Sequence, residues 1–250
     1  KMNGIRHYIR TMLSEAYYTT WGSLEESPID NFNGEEVEIV QKLSKHLKIG
    51  KVAPLGNGTS GFAYYIPNNR VLKITKDKSE AAEAFKIKGK KLKHLANIFD
   101  VYALHGRYEG TYVIISELLN NTDDLDDSEA WLENFLDDEF SYSKEFFFED
   151  YSNGSMSPDE IKDYTRRIKE YYEPWKAERT IWFMNGMFGI INDLKQNKIL
   201  STDWGLHNIG IKKNGALAMY DLGYGDPDVH KDVKKLALQQ EISNDSPSDY

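Results

Sequence analysis

In the last fifty residues of the sequence, three oxygen-bearing side chains recur at a spacing that suits phosphate chemistry. Asp203 and Asn208 lie five residues apart, and Asp221 follows thirteen residues after Asn208, within Tyr220-Asp221-Leu222-Gly223. Two short β-type runs, 209–211 and 216–220, turned at Lys213-Asn214-Gly215, separate Asn208 from Asp221. An amide oxygen and a carboxylate are the hard ligands that Mg²⁺ prefers. Asp203 is placed to accept or orient the proton of an attacking hydroxyl. Gly223 lets the chain turn directly after a metal ligand.

A second group stands earlier in the chain. Gly56-Asn57-Gly58-Thr59-Ser60-Gly61 lies between two β-type runs, so it is expected to turn a hairpin rather than to open a helix as a dinucleotide fingerprint does. Glycines at such a tip let backbone close over phosphates without a Cβ clash. Twelve residues after Gly61, Lys73 interrupts the apolar run Val71-Leu72-Lys73-Ile74. A lysine among buried-type neighbours needs a route to water or an anionic partner. The partners that fit are nucleotide phosphates and a carboxylate of the following helix; Glu83 is the first choice, with Glu80 one helical turn earlier as its rival.

These residues need elements to hold them. Five β-type runs (52–55, 62–66, 71–75, 101–104 and 112–115) with one helix over 79–95 predict an antiparallel sheet carrying a single helix. From residue 127 a helical pattern returns. The segment 178–196 carries Ile181, Met184, Phe188, Ile191 and Leu194 on one face, as a central core helix would. Between them, 141–158 reads as an aromatic-rich loop ending in the helix start Ser157-Pro158-Asp159-Glu160. Residues 1–50 read as helices, with Ile5, Tyr8, Ile9, Met12 and Leu13 on one stripe and Val37, Val40, Leu43 and Leu47 on another. Residues 243–250 read as a frayed tail.

Taken together, the glycine-rich hairpin, Lys73, Asp203-x₄-Asn208 and Asp221-Leu222-Gly223 resemble the eukaryotic-type protein kinase superfamily over roughly residues 51–226. The brevity is similar to that of compact phage and bacterial kinases. The resemblance implies an α+β, bilobal protein-kinase-like fold: a helical extension over 1–50, a five-stranded lobe with one helix over 51–119, and a reduced, mainly helical lobe over 120–250. It also implies ATP and Mg²⁺ as cofactors. Gly56 to Gly61 would lie over the phosphates, with Lys73 and Glu83 paired, Asp203 at the nucleophile and Asn208 and Asp221 on the metal. By the same resemblance Ser116 is the gatekeeper, and the backbone of Glu117 to Leu119 receives adenine.

The departures shape the expectation. Ser201-Thr202 replace the usual His-Arg before Asp203, so loop phosphorylation has no arginine to read it. Gly205 stands where a lysine is usual, and His207 is either a partial substitute or a solvent-facing imidazole. Only 29 residues follow Asp221, with no Ala-Pro-Glu motif, so the substrate-binding helices of a full kinase are expected to be missing. The leading expectation is a Ser/Thr protein kinase. A nucleotide-binding pseudokinase, an aminoglycoside- or choline-type kinase and a nucleotidyl transferase share parts of the pattern.

Composition narrows the partners. A net charge of −9, from 31 Lys+Arg against 40 Asp+Glu, argues against a protein that neutralises nucleic-acid phosphates. The absence of cysteine removes disulfides, thiolate metal sites and cysteine nucleophiles, and fits a reducing, cytoplasmic setting. No run approaches the roughly 18 apolar residues of a membrane span, and no signal peptide is evident. Nine acids and no base over 123–139 read as a solvated helix face, or as a docking face for a basic protein substrate.

Overall fold

The computed structural model describes residues 35–50, 52–58, 61–120, 123–199 and 206–223. The chain divides into two compact units, residues 1–49 and 50–250. The expected stripe over residues 5–13 and the tail over 243–250 lie outside the described residues. In the first unit, α1 (Glu35–His46) buries Glu36, Ile39, Val40 and Leu43, whereas Val37 is exposed. The buried stripe runs i, i+3, i+4, i+7 from Glu36; it keeps the expected Val40 and Leu43, while Val37 is exposed and Leu47 half-buried.

The second unit is α+β. Its five-stranded antiparallel sheet has the order β1-β2-β3-β5-β4, formed by β1 (Ala53–Gly58), β2 (Gly61–Ile66), β3 (Arg70–Thr75), β4 (Ile98–Ala103) and β5 (Tyr112–Glu117). β1 and β2 pair out to Gly58 opposite Gly61, so the glycine-rich segment does turn a hairpin; Thr59 and Ser60 at its tip lie outside the described residues. A side chain at Gly61 would run into the Ile74 carbonyl of β3, whereas one at Gly56 would meet nothing. Sheet packing thus demands glycine at position 61. Position 56 is open toward the cleft described below.

One helix, α2 (Lys78–Ile87), connects β3 to β4 and packs on β4 and β5 through Ala81, Ala82, Ala84 and Ile87. Three alanines let helix and sheet approach closely. The Asp77 carboxylate caps the helix, accepting from the backbone N–H groups of Ser79 (2.7 Å) and Glu80 (3.1 Å). The helix ends at Ile87, eight residues before the expected end, and Gly89 takes a positive φ. Competing tertiary contacts explain the stop. The lysine-rich stretch that follows pairs with the second half of the unit, with Ala96 N–H on Met219 O (2.8 Å), Met219 N–H on His94 O (3.1 Å) and His94 N–H on an Asp193 carboxylate oxygen (2.8 Å).

Four helices follow: α3 (Asp123–Phe140), α4 (Lys144–Asn153), α5 (Pro158–Tyr171) and α6 (Pro174–Gln196). The acidic segment is α3, with Leu125, Leu132, Phe135 and Leu136 buried while Asp126, Asp127, Asp137 and Asp138 face out. The expected loop over 141–158 is largely α4, capped by the Ser143 hydroxyl and closed by Gly154 in the left-handed region, with Phe147 and Phe148 buried. The predicted start of α5 carries a full capping box between Ser157 and Glu160. The central helix α6 is buried around most of its girth by Phe183, Met184, Met187, Ile190 and Leu194. Its Gly186 and Gly189 admit Leu217 and the His94 ring, neither of which would clear a Cβ. The hairpin of β6 (Ile209–Ile211) and β7 (Leu217–Met219) packs on α6 and is tied to Asn120 by paired backbone bonds of 2.9 and 2.7 Å with Ile211. No helix among the described residues is long and apolar enough to cross a membrane.

Candidate active-site cleft

A cleft of about 640 Å³ lies between the sheet and the β6–β7 hairpin, bounded by Gly56, Gly61, Lys73, Glu80, residues 116–119, Asn208 and Asp221. Strand alternation builds its roof. Lys73 faces the cleft from β3, with Ala63 and Ile114 as its cross-strand neighbours on the same face, while Leu72 and Ile74 turn to the other side and are buried.

Two carboxylates hold the Lys73 ammonium: Glu80 from the first turn of α2 at 2.6 Å, and Asp221 from beyond β7 at 2.8 Å. The helix partner is therefore Glu80. Glu83 is buried as well but pairs with Lys86 at 2.8 Å. Glu80 and Ala84, four residues apart on one face of α2, both line the cleft, and Glu83 lies off that face. The Asp77-x-x-Glu80 spacing is a helix-start signature that already sets Glu80 in the first turn.

Burial pulls the Lys73 pKa down, but the charges of Glu80 and Asp221 outweigh it, and the net shift is upward. Glu80 is pushed up to about 7, because burial disfavours its charge by more than Lys73 restores. One oxygen of Glu80 is buried with no hydrogen-bond partner. Tyr220, raised chiefly by burial and then by the Asp221 charge, donates its hydroxyl to the His207 carbonyl.

Asn208 ends a short 3₁₀ turn (Leu206–Asn208) and is buried. Its carbonyl accepts the Tyr220 N–H at 2.9 Å, so the hairpin sets Asn208 and Asp221 on adjoining stretches of chain along one cleft wall. Asp221 Oδ1 accepts the Gly223 N–H at 3.1 Å. Gly223 stays out of the left-handed region, and a Cβ there would stand close to Asp77 Oδ2 (3.2 Å) and Asp221 Oδ1 (3.3 Å), which would have to give way slightly. Among the described residues no group of three or more His, Cys, Asp or Glu is placed to bind a metal alone. Asn208 and Asp221 would fit a hard divalent cation that takes its other oxygens from phosphate and water. His207 borders the cleft on its exposed rim. Asp203, Ser201, Thr202 and Gly205 lie outside the described residues.

At the other end, Ser116 is buried and the segment from Glu117 to Leu119 borders the cleft. The N–H groups of Glu117 and Leu118 are taken by Asn97 O (2.9 Å) and Asn69 O (3.0 Å), and that of Leu119 meets no partner among the described residues. The Glu117 carboxylate turns away. It accepts from the Asn97 side-chain amide (2.7 Å) and pairs with buried Lys212 at 3.2 Å, whose ammonium also donates to Leu92 O at 2.7 Å. Neither this knot nor Asp77 figured in the sequence expectations, because Lys212 lies 95 residues from Glu117 and lacks any local signal.

Compared with known proteins, the sequence matches no protein-family model and no curated protein.

Proposed function

We propose that the chain is an ATP- and Mg²⁺-dependent phosphotransferase on a protein-kinase-like fold, acting on a protein serine or threonine hydroxyl. The observation that carries this reading is the triad Lys73–Glu80–Asp221. Residues from a strand, the next helix and a segment 148 positions away converge within 2.8 Å at the wall of a cleft large enough for a nucleotide. Lys73 would bind the α- and β-phosphates, with Glu80 fixing its reach. Asn208 and Asp221 would hold the divalent ion, which supplies charge neutralisation at the transferring phosphoryl group. Adenine would lie against residues 117–119, where the Leu119 N–H is open. Asp203 would orient the acceptor hydroxyl.

The test is to incubate the purified protein with Mg²⁺, a cell lysate as acceptor source, and ATP labelled at either the γ- or the α-phosphate. Label should pass to protein from the γ position only. It should be lost by at least a hundredfold in Asp203→Asn while nucleotide binding persists. Transfer of the α label would identify a nucleotidyl transferase. Label on small molecules would identify a metabolite kinase, and ATP binding without transfer a pseudokinase; each outcome would overturn the proposal.

A further inference from the structure

Asp77 has a second oxygen that the helix cap does not use. Oδ1 takes the N–H groups of Ser79 and Glu80 and the Ser79 hydroxyl, whereas Oδ2 has no hydrogen-bond partner among the described residues. Oδ2 is turned into the cleft toward Gly223, where the position of a Cβ would be 3.2 Å from it and 3.3 Å from Asp221 Oδ1. The two carboxylates thus converge over a residue that has no side chain to separate them. Glu80 and Asp221 hold the Lys73 ammonium, and Asp77 adds a third carboxylate to the lining of the same cleft, where a triphosphate would enter. The second oxygen of Glu80 is buried without a hydrogen-bond partner in the same cleft wall, a state it shares with Glu83 away from the cleft. An anionic ligand cannot enter such a site unless positive charge comes with it.

From this geometry we infer that Asp77 faces the divalent cation of the nucleotide complex and strengthens its binding from the sheet side, opposite Asn208. The inference rests on the reading proposed above and deepens it. The helix cap makes it testable, because Asn and Ser cap helices about as well as Asp. Asp77→Asn and Asp77→Ser therefore remove the charge without removing the cap.

The measurement is Mn²⁺ affinity by electron paramagnetic resonance, with and without a non-hydrolysable ATP analogue, in wild type and both variants. Thermal melting without ligand checks the cap. Mn²⁺ should bind the nucleotide complex of both variants about tenfold more weakly than that of wild type, the usual scale for an outlying metal partner, with the ligand-free melting temperature nearly unchanged. Equal Mn²⁺ affinity in all three proteins, or tighter nucleotide binding in the variants, would overturn this inference alone. Failure of wild type to bind Mn²⁺ with nucleotide would overturn the phosphotransferase reading and this inference with it.

Discussion

Two lysines, half-buried Lys73 on the cleft wall and buried Lys212 behind Glu117, differ in their surroundings. Lys212 has one carboxylate, Glu117, and a backbone carbonyl, and Glu117 in turn has the amide of Asn97. Charge there is matched, one ammonium to one carboxylate, although the Asn97 side-chain oxygen is buried without a partner. Lys73 faces Glu80 and Asp221, with Asp77 nearby, and one oxygen of Glu80 is left without a donor. A matched buried pair behaves as a fixed tie, since loss of either partner strands a charge. An over-acidic cluster has an alternative: protons or metal ions can take the place of missing cationic charge. The contrast separates a one-to-one ion pair behind residues 117–119 from a cluster in the cleft with more acid than base.

The largest expected effect tests that contrast directly. Lys212→Met should cost about 3 kcal/mol in urea unfolding at pH 7, because Glu117 keeps only its Asn97 donors. Lys73→Met should cost less, about 1 to 2 kcal/mol, since Glu80 already lies near neutrality and takes up a proton once the ammonium is gone. Equal costs would show that both lysines are structural ties and that the acid excess around Lys73 has no special role.

A pH series sharpens the same point. The Glu80 carboxyl goes from an ordinary value of 4.5 to about 7 on folding. Between those two values the folded chain holds a proton that the unfolded chain has released, so this group makes stability fall as pH rises through the window and adds nothing further above it. Glu80→Gln should remove a pH-dependent loss of about 2 to 3 kcal/mol between pH 4.5 and 7, read as the difference between wild-type and variant unfolding curves. Identical slopes for both proteins would mean that Glu80 stays ionised throughout.

The sheet, its glycine-flanked β1–β2 hairpin and the placement of Lys73, Asn208 and Asp221 were legible because each rests on local pattern: alternation along strands, glycines at a turn, an Asp-x-Gly after a short hairpin. What escaped depends on distant partners. α2 stops at Ile87 because residues 94–96 pair with Asp193 and Met219, about a hundred residues on. α4 was hidden because Phe146, Phe147 and Phe148 read as part of a loop until α6 supplies Phe188 to pack against Phe147 and Phe148. The choice of Glu83 over Glu80 had a local remedy, since Asp77 marks the helix start three residues before Glu80.

That last choice yields the smallest expected effect. Glu80 and Glu83 are both buried acids on one helix, and each is paired with a lysine, yet only Glu80 borders the cleft. Lys86, the partner of Glu83, also donates to the Lys198 carbonyl at 3.2 Å, so it keeps an acceptor if the carboxylate is lost. Glu83→Gln retains the shape and one hydrogen-bonding oxygen, which limits the cost to about 1 kcal/mol of fold stability. Nothing in that change reaches Lys73. The rise in melting temperature produced by ATP with Mg²⁺ should therefore be the same in Glu83→Gln as in wild type, whereas Glu80→Gln should reduce it. If Glu83→Gln lost the nucleotide-dependent shift while Glu80→Gln kept it, Glu83 would be the partner of Lys73 in the nucleotide complex, and α2 would have to turn on binding to bring it there.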